Sequence, residues 1–487
     1  MECFWKGFFL VCVMANTSLT GAMDADTVRQ LINEDPALKS AQVGISIKAK
    51  DAPELSVNAE KRFIPASVTK LVTTALALDE LGGEFQFITK AAMDGTLKGG
   101  ILEGNLYLIG GGDPSLNQRG IESLASQVAA SGIRVVKGSV FADVSLFGSE
   151  TFPTDLEWAD LQEGYGAEIS PLSFNDNYVT VVVNLATGEL HCREQLPYCS
   201  IEGSVDRAEE GSPLKYKREF LANRVEVYGG LGKGEGVEEI KIAVHKPSEY
   251  ARQAWIKALS DVGVQIHFGD EPGGDRTFLA SLASPTLANL LREVNHQSNN
   301  LYAETILRYI AKRRYPDLSF EEAESRVLQE YLHKLGVERS EFVLREGAGL
   351  SRHNLLTPKI VVTLLKRKVE SPEGSDFLNV LPVAGQDGTL QKRFSELNAG
   401  LVIKAKTGGM EGVTNLAGVA ESSAGIRILF CIFVNGSTKT YKETAASLDA
   451  LLLKILNSYG ENSANTRAGN PEAPATLGKA AMTMPPA

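Results

Sequence analysis

The sequence predicts an α+β fold: an antiparallel sheet flanked by helices, interrupted by β-rich inserted domains. Three observations carry this. Strand-like patterns lie near both ends of the chain, at 42–47 and again at 416–420 and 426–434. Helical runs follow the first strand, from 67 to 81, and fill much of 286–370. Between them, from about 88 to 282, short β-like runs alternate with glycine breaks.

Taken in order, residues 1–22 read as an export signal. Lys6 precedes the apolar run 8–15, which is too short to span a bilayer, and small residues follow up to Ala22. An exported, periplasmic location is therefore expected, with at most peripheral membrane contact. A helix is expected over 27–38, a strand over 42–47 and its hairpin partner over 54–58. The run 67–81 is apolar nearly all round and stops at Gly82-Gly83, which marks a helix buried in a large core. Within the insertion, 105–109 and 178–183 are the clearest strands. Helices are expected over 286–293, 300–312, 321–335 and 442–456. Residues 461–487, rich in Asn, Ala, Pro and Gly, lack an apolar period and read as a disordered tail. The domain layout expected is a discontinuous catalytic domain, 23–90 with 284–460, carrying an insertion at 91–283.

A net charge of −11 at pH 7 argues against a nucleic-acid partner. Cys192 and Cys199 either close a short disulfide loop or stay free, while Cys431 lies in an apolar run and reads as inert core. No cysteine or histidine pair has zinc-ligand spacing, and neither a metal nor a cofactor is expected. His296 and His353 read as hydrogen-bonded structural groups.

Three short strings fit one active site. Ser67-Val68-Thr69-Lys70 puts a hydroxyl and an amine one helical turn apart. A hydroxyl is a poor nucleophile until a base takes its proton, and a buried lysine can serve because desolvation disfavours the ammonium. The helix start adds a positive dipole and a backbone N–H for a developing oxyanion. Ser298-Asn299-Asn300 offers a second hydroxyl and an amide; Ser298 reads both as a proton relay and as a helix N-cap. Lys406-Thr407-Gly408 suits an edge strand beside a cleft, where unpaired N–H groups receive an extended peptide. Serine acyltransferases with a lysine base use this triple in this order.

The chain resembles the penicillin-binding protein 4 type of D-alanyl-D-alanine carboxypeptidase/endopeptidase, the low-molecular-mass class C group, over about 27–458. The resemblance rests on 65–70, 111–116, 295–304, 347–352, 381–385 and 404–408. It implies a penicillin-binding-protein/serine β-lactamase-like fold. The gap between Ser67 and Ser298 is too long for a compact β-lactamase and fits the insertion. The resemblance also implies Ser67 as the acylated nucleophile, Lys70 as its base and Ser298 in the proton path. Asn300, Lys406 and Thr407 would bind substrate, and the N–H groups of Ser67 and Gly409 would form the oxyanion hole. Asp143 is the candidate contact for the free end of the stem peptide. The partners implied are peptidoglycan stem peptides and, as covalent inhibitors, β-lactam antibiotics. Cleavage of cross-links, beside that of D-Ala-D-Ala ends, stays open. A β-lactamase or esterase on the same scaffold and an inactive cell-wall-binding protein are the alternatives. The chain departs from the family pattern at Gly409, where Ser or Thr is usual, and at Glu346-Gly347-Ala348, where Asp-Gly-Ser is common.

Overall fold

The computed structural model describes residues 23–468 except 51, 150, 195, 204, 207–212, 231–235, 270–272, 395, 398–399 and 424. The export signal read at 1–22 lies outside the described residues.

The two ends of the chain build one five-stranded sheet in the order Leu401–Met410, Val413–Ser422, Arg427–Asn435, Gln42–Ala49, Leu55–Val57. Every neighbour is antiparallel, and the first strand pairs with the last from Gln42↔Asn435 to Ala49↔Ile428. The two-residue period divides these strands between two cores. Leu416, Ala420, Ile428, Phe430, Ile432 and Val434 pack with helix Ala25–Glu34 and helix Tyr441–Ala468. Ala417, Val419, Leu429, Cys431 and Phe433 face the other way, onto Val68, Leu71, Val72 and helix Pro358–Val369. The sheet is apolar on both faces because helices cover both. That is why 428–434 reads as an unbroken apolar run.

The first helix spans Ala25–Glu34, shorter than expected, with Asp24 accepting from the Thr27 N–H at 2.8 Å. Pro36 ends it, because the residue before a proline is disfavoured in the α region. The last helix runs on to Ala468, past the start of the expected tail. No proline interrupts it before Pro471, and each added residue of an existing helix gains a hydrogen bond. Residues 469–487 lie outside the described residues.

Between the halves, strand Ile88–Met93 pairs with strand Thr277–Ala283, and the chain between them forms further small sheets. This region also holds two helices hidden from the β-rich reading, Gln118–Ala130 and Pro247–Asp261. Both bury apolar faces, including Ile121, Leu124, Tyr250 and Trp255, in a second core with the surrounding strands. The flanking glycine-broken strands mask their helical period. Cys192 and Cys199 are half-buried free thiols, and Cys431 is fully buried.

Candidate active site

Ser67 does not open the α-helix. It sits in a 3₁₀ turn, Ala66–Thr69, and the α-helix follows as Lys70–Leu81. Ala66 enters this turn at φ +45, a left-handed conformation that a non-glycine residue adopts only under constraint. The constraint is visible on both sides. Upstream, Ile64 is held from both its backbone groups: its N–H donates to Asn435 Oδ1 at 2.7 Å, and its C=O accepts from Asn415 Nδ2 at 2.9 Å. Downstream, Gly349 approaches so closely that a Cβ on it would lie 2.0 Å from the Ala66 carbonyl oxygen. In a 3₁₀ turn, side chains three apart eclipse, which brings Lys70 directly onto Ser67.

Lys70 Nζ donates to Ser67 Oγ at 3.0 Å, Asn300 Oδ1 at 2.6 Å and the Ala348 carbonyl at 2.5 Å. Its three partners come from three separate chain segments. Lys70 is fully buried, and burial lowers its pKa to about 8 although the Glu346 carboxylate pulls it upward. A usable fraction of free amine therefore exists near neutral pH.

Ser298 lies between helices Leu287–His296 and Asn300–Arg314, at φ +59. Its hydroxyl accepts from Lys406 Nζ at 2.9 Å. The N-cap is Asn299, whose side chain accepts from the Tyr302 N–H at 3.2 Å. Ser298 is thereby left free of capping, and Asn300 is the first residue of the helix. Asn300 also donates to the Tyr165 carbonyl at 3.0 Å, tying the inserted region to the site.

Lys406, Thr407 and Gly408 lie on the edge strand Leu401–Met410. Its outer side is covered only in part: Ala405 N–H donates to the Pro382 carbonyl at 3.1 Å. By the two-residue period, the N–H groups of Thr407 and Gly409 face the same outer side. Gly408 is required where it stands, since a Cβ would come within 2.6 Å of the Pro65 carbonyl oxygen. Lys406 is fully buried and its pKa is held well below the usual amine range by burial and by Lys70. Thr407 Oγ1 donates to Thr389 Oγ1 at 3.0 Å. Beyond Gly409 a cavity of about 510 Å³ continues the edge, lined by Met410, Glu411, Lys439 and Tyr441 among others.

Asp143 ends strand Val140–Asp143 in the inserted region. It pairs with Arg276 and accepts from the Ser145 N–H at 2.8 Å, which hold its carboxyl below its usual range despite partial burial. None of its described contacts joins it to the Ser67 cluster.

Two comparisons with known proteins agree on the family of the chain. The model of the D-Ala-D-Ala carboxypeptidase 3 (S13) family matches residues 25–455. The D-alanyl-D-alanine carboxypeptidase of an Actinomadura species (strain R39) is 32% identical, over 83% of this chain and 80% of its own length. The chain belongs to the D-Ala-D-Ala carboxypeptidase 3 (S13) family. Among similar proteins, the D-alanyl-D-alanine carboxypeptidase DacB of Haemophilus influenzae is 26% identical, over 83% of this chain and 87% of its own. The crystal structure of penicillin binding protein 4 (dacB) from Haemophilus influenzae shares the fold: TM-score 0.78, 24% identity, covering 89% of this chain and 99% of that one.

Within this S13 site, sequence reasoning missed several residues. Asn415 and Asn435 clamp Ile64, and nothing in their apolar surroundings sets them apart in the sequence except an amide inside a buried strand. Glu346 organises the loop that carries the Ala348 carbonyl, accepting from the N–H groups of Ala348 at 2.8 Å and Gly349 at 2.9 Å. Arg352 pairs with Glu157 of the inserted region and donates to the Glu411 carbonyl at 3.3 Å. His353 and Ser351 both meet Asp155, at 3.1 Å and 2.9 Å.

Proposed function

We propose that this S13-family chain is an exported serine DD-peptidase that cleaves the D-Ala-D-Ala end of peptidoglycan stem peptides, and the cross-links between them, through an ester on Ser67. The observation that carries this reading is the fully buried Lys70 amine, 3.0 Å from Ser67 Oγ.

The free amine of Lys70 takes the Ser67 proton as Oγ attacks the carbonyl of the scissile D-Ala-D-Ala bond. The oxygen that becomes negative receives the N–H groups of Ser67 and Gly409. Ser298, bonded to Lys406, relays the proton that Lys70 took on to the departing nitrogen; the C–N bond breaks, D-alanine leaves and Lys70 is again a free amine. Water, deprotonated by Lys70, then hydrolyses the ester and restores Ser67. Asn300 holds Lys70 through its Oδ1 and offers its amide to the substrate. Lys406 and Thr407 receive the terminal carboxylate. Burial and the nearby Lys70 push Lys406 toward the neutral amine; a substrate carboxylate is the counter-charge that favours its ammonium form. Asp143 is the proposed contact for the free end of the stem peptide, in exchange for Arg276. Penicillins acylate Ser67 by the same attack, because the lactam carbonyl stands where the scissile carbonyl does.

The test is D-alanine release from a synthetic peptide ending in D-Ala-D-Ala, followed enzymatically. Release by the wild type and none by S67A is expected. Binding of the peptide without turnover points instead to an inactive wall-binding protein. Rapid hydrolysis of penicillin without peptide cleavage points to a β-lactamase.

A further inference from the structure

The loop that carries the Ala348 carbonyl is held through its N–H groups by two carboxyl groups for which the reaction above has no use. Glu304, on helix Asn300–Arg314 one turn after Asn300, is fully buried. Its Oε1 accepts from the N–H groups of Gly347 at 2.8 Å and Ala348 at 2.6 Å. Its Oε2 is buried and has no hydrogen-bond donor. Glu346, also fully buried, accepts from the same Ala348 N–H at 2.8 Å. It accepts as well from Gly349 N–H at 2.9 Å, Ser351 N–H at 3.3 Å and Asn354 Nδ2 at 2.5 Å.

Two buried carboxyl groups that share one donor are close enough that both cannot be ionised. The donors decide which one keeps a proton. Four N–H groups converge on Glu346, the pattern of a carboxylate. The Oε2 of Glu304 meets none, so an ionised Glu304 would leave a buried negative oxygen uncompensated. The other charged groups around it do not change this. Arg308, one turn on, is committed to Glu324 of the neighbouring helix at 2.7 Å and to Thr151. Lys70 spends its three donors elsewhere, and Lys406 lies beyond it. Burial, with Glu346 and Glu324 nearby, drives the Glu304 pKa well above the usual carboxylate range.

We propose that Glu304 works as a neutral carboxylic acid: its O–H donates to Glu346 while its carbonyl oxygen clamps the Gly347–Ala348 peptide, making it the positioning residue for Lys70. This rests on Lys70 being the base. An acid held neutral ties the loop down without adding a negative charge beside the amine, and a negative charge there would keep Lys70 protonated.

The test is the pH profile of acylation by a fluorescent penicillin in E304Q and E304M, with infrared spectra of wild type and E304Q. Glutamine keeps both roles, since its Oε1 accepts and its Nε2 donates to Glu346. E304Q is therefore expected to acylate within a few-fold of wild type with an unmoved acid limb. E304M loses both hydrogen bonds and is expected to acylate about 100-fold more slowly, the scale of a misplaced catalytic group. The wild type is expected to show a buried carboxylic-acid C=O band that E304Q removes. An acid limb displaced to lower pH in E304Q overturns the proposal, since that is the effect of deleting an ionised carboxylate. So does wild-type acylation by E304M, or no such band in the wild type. If E304M does not fold, the band and the E304Q profile still decide. A wild type that is not acylated at all condemns the Ser67–Lys70 reading instead, and the band decides Glu304 alone.

Discussion

The role of base proposed for Lys70 rests on a buried amine with three hydrogen-bond partners, and its expected pH behaviour follows from that. Its pKa in the folded protein, about 8, lies below the ordinary value of 10.5. The active form is the free amine, so acylation is expected to rise with pH through about 8 and to fall as the amine protonates below it. Stopped-flow labelling with a fluorescent penicillin across that range checks the sign; a rate that declines between pH 6 and 8 contradicts it. Replacing Lys70 by methionine keeps the bulk and removes the base, and should slow acylation by roughly 10²–10⁴-fold, the usual contribution of a general base. Ser298→Ala is expected to leave peptide binding intact and lower turnover, because in the proposed mechanism its hydroxyl passes a proton between Lys70 and the leaving group. Of these residues the sequence shows the types and the spacing of the first motif. It does not show the meeting of Lys70 with Asn300 and Ala348, which lie more than 200 residues away and converge only through the fold.

At the scale of elements, the site is a crossing point of a 3₁₀ turn, an edge strand and a glycine loop. The edge strand is readable in advance, since Lys406-Thr407-Gly408 precedes two apolar strands. The 3₁₀ turn is not: Ala66 reads as an ordinary helix former, and only the clamp on Ile64 and the approach of Gly349 hold it at positive φ. Two substitutions test that account. Gly349→Ala puts a Cβ 2.0 Å from the Ala66 oxygen at a φ of +83, so the loop must retreat. Slower acylation is expected along with a lowered Tm. Asn415→Ala strips a buried amide that bonds Ile64 and Val434 and should cost roughly 1–3 kcal/mol in denaturant unfolding. A variant as stable and as reactive as wild type contradicts the clamp.

Over the whole molecule, the inserted region closes on the catalytic sheet through polar contacts at the site itself. Tyr165 meets Asn300, Asp176 meets Asn299, Asp155 meets Ser351, and Thr151 meets Arg308. The insertion is legible as a change of texture after residue 88, but its contacts are not, because they come from loops whose composition carries no period. Arg308 shows what these contacts are worth. It is 1% exposed, bonded to the buried Glu324 and to Thr151. Arg308→Met should destabilise by roughly 3–5 kcal/mol, because it leaves Glu324 charged and unpaired in the core.

The most direct measurement is intact-protein mass spectrometry after incubation with benzylpenicillin, followed by peptide mapping. One penicilloyl group on Ser67, absent from S67A and formed far more slowly by K70M, is the expected result. No adduct, or an adduct on any residue other than Ser67, contradicts the account.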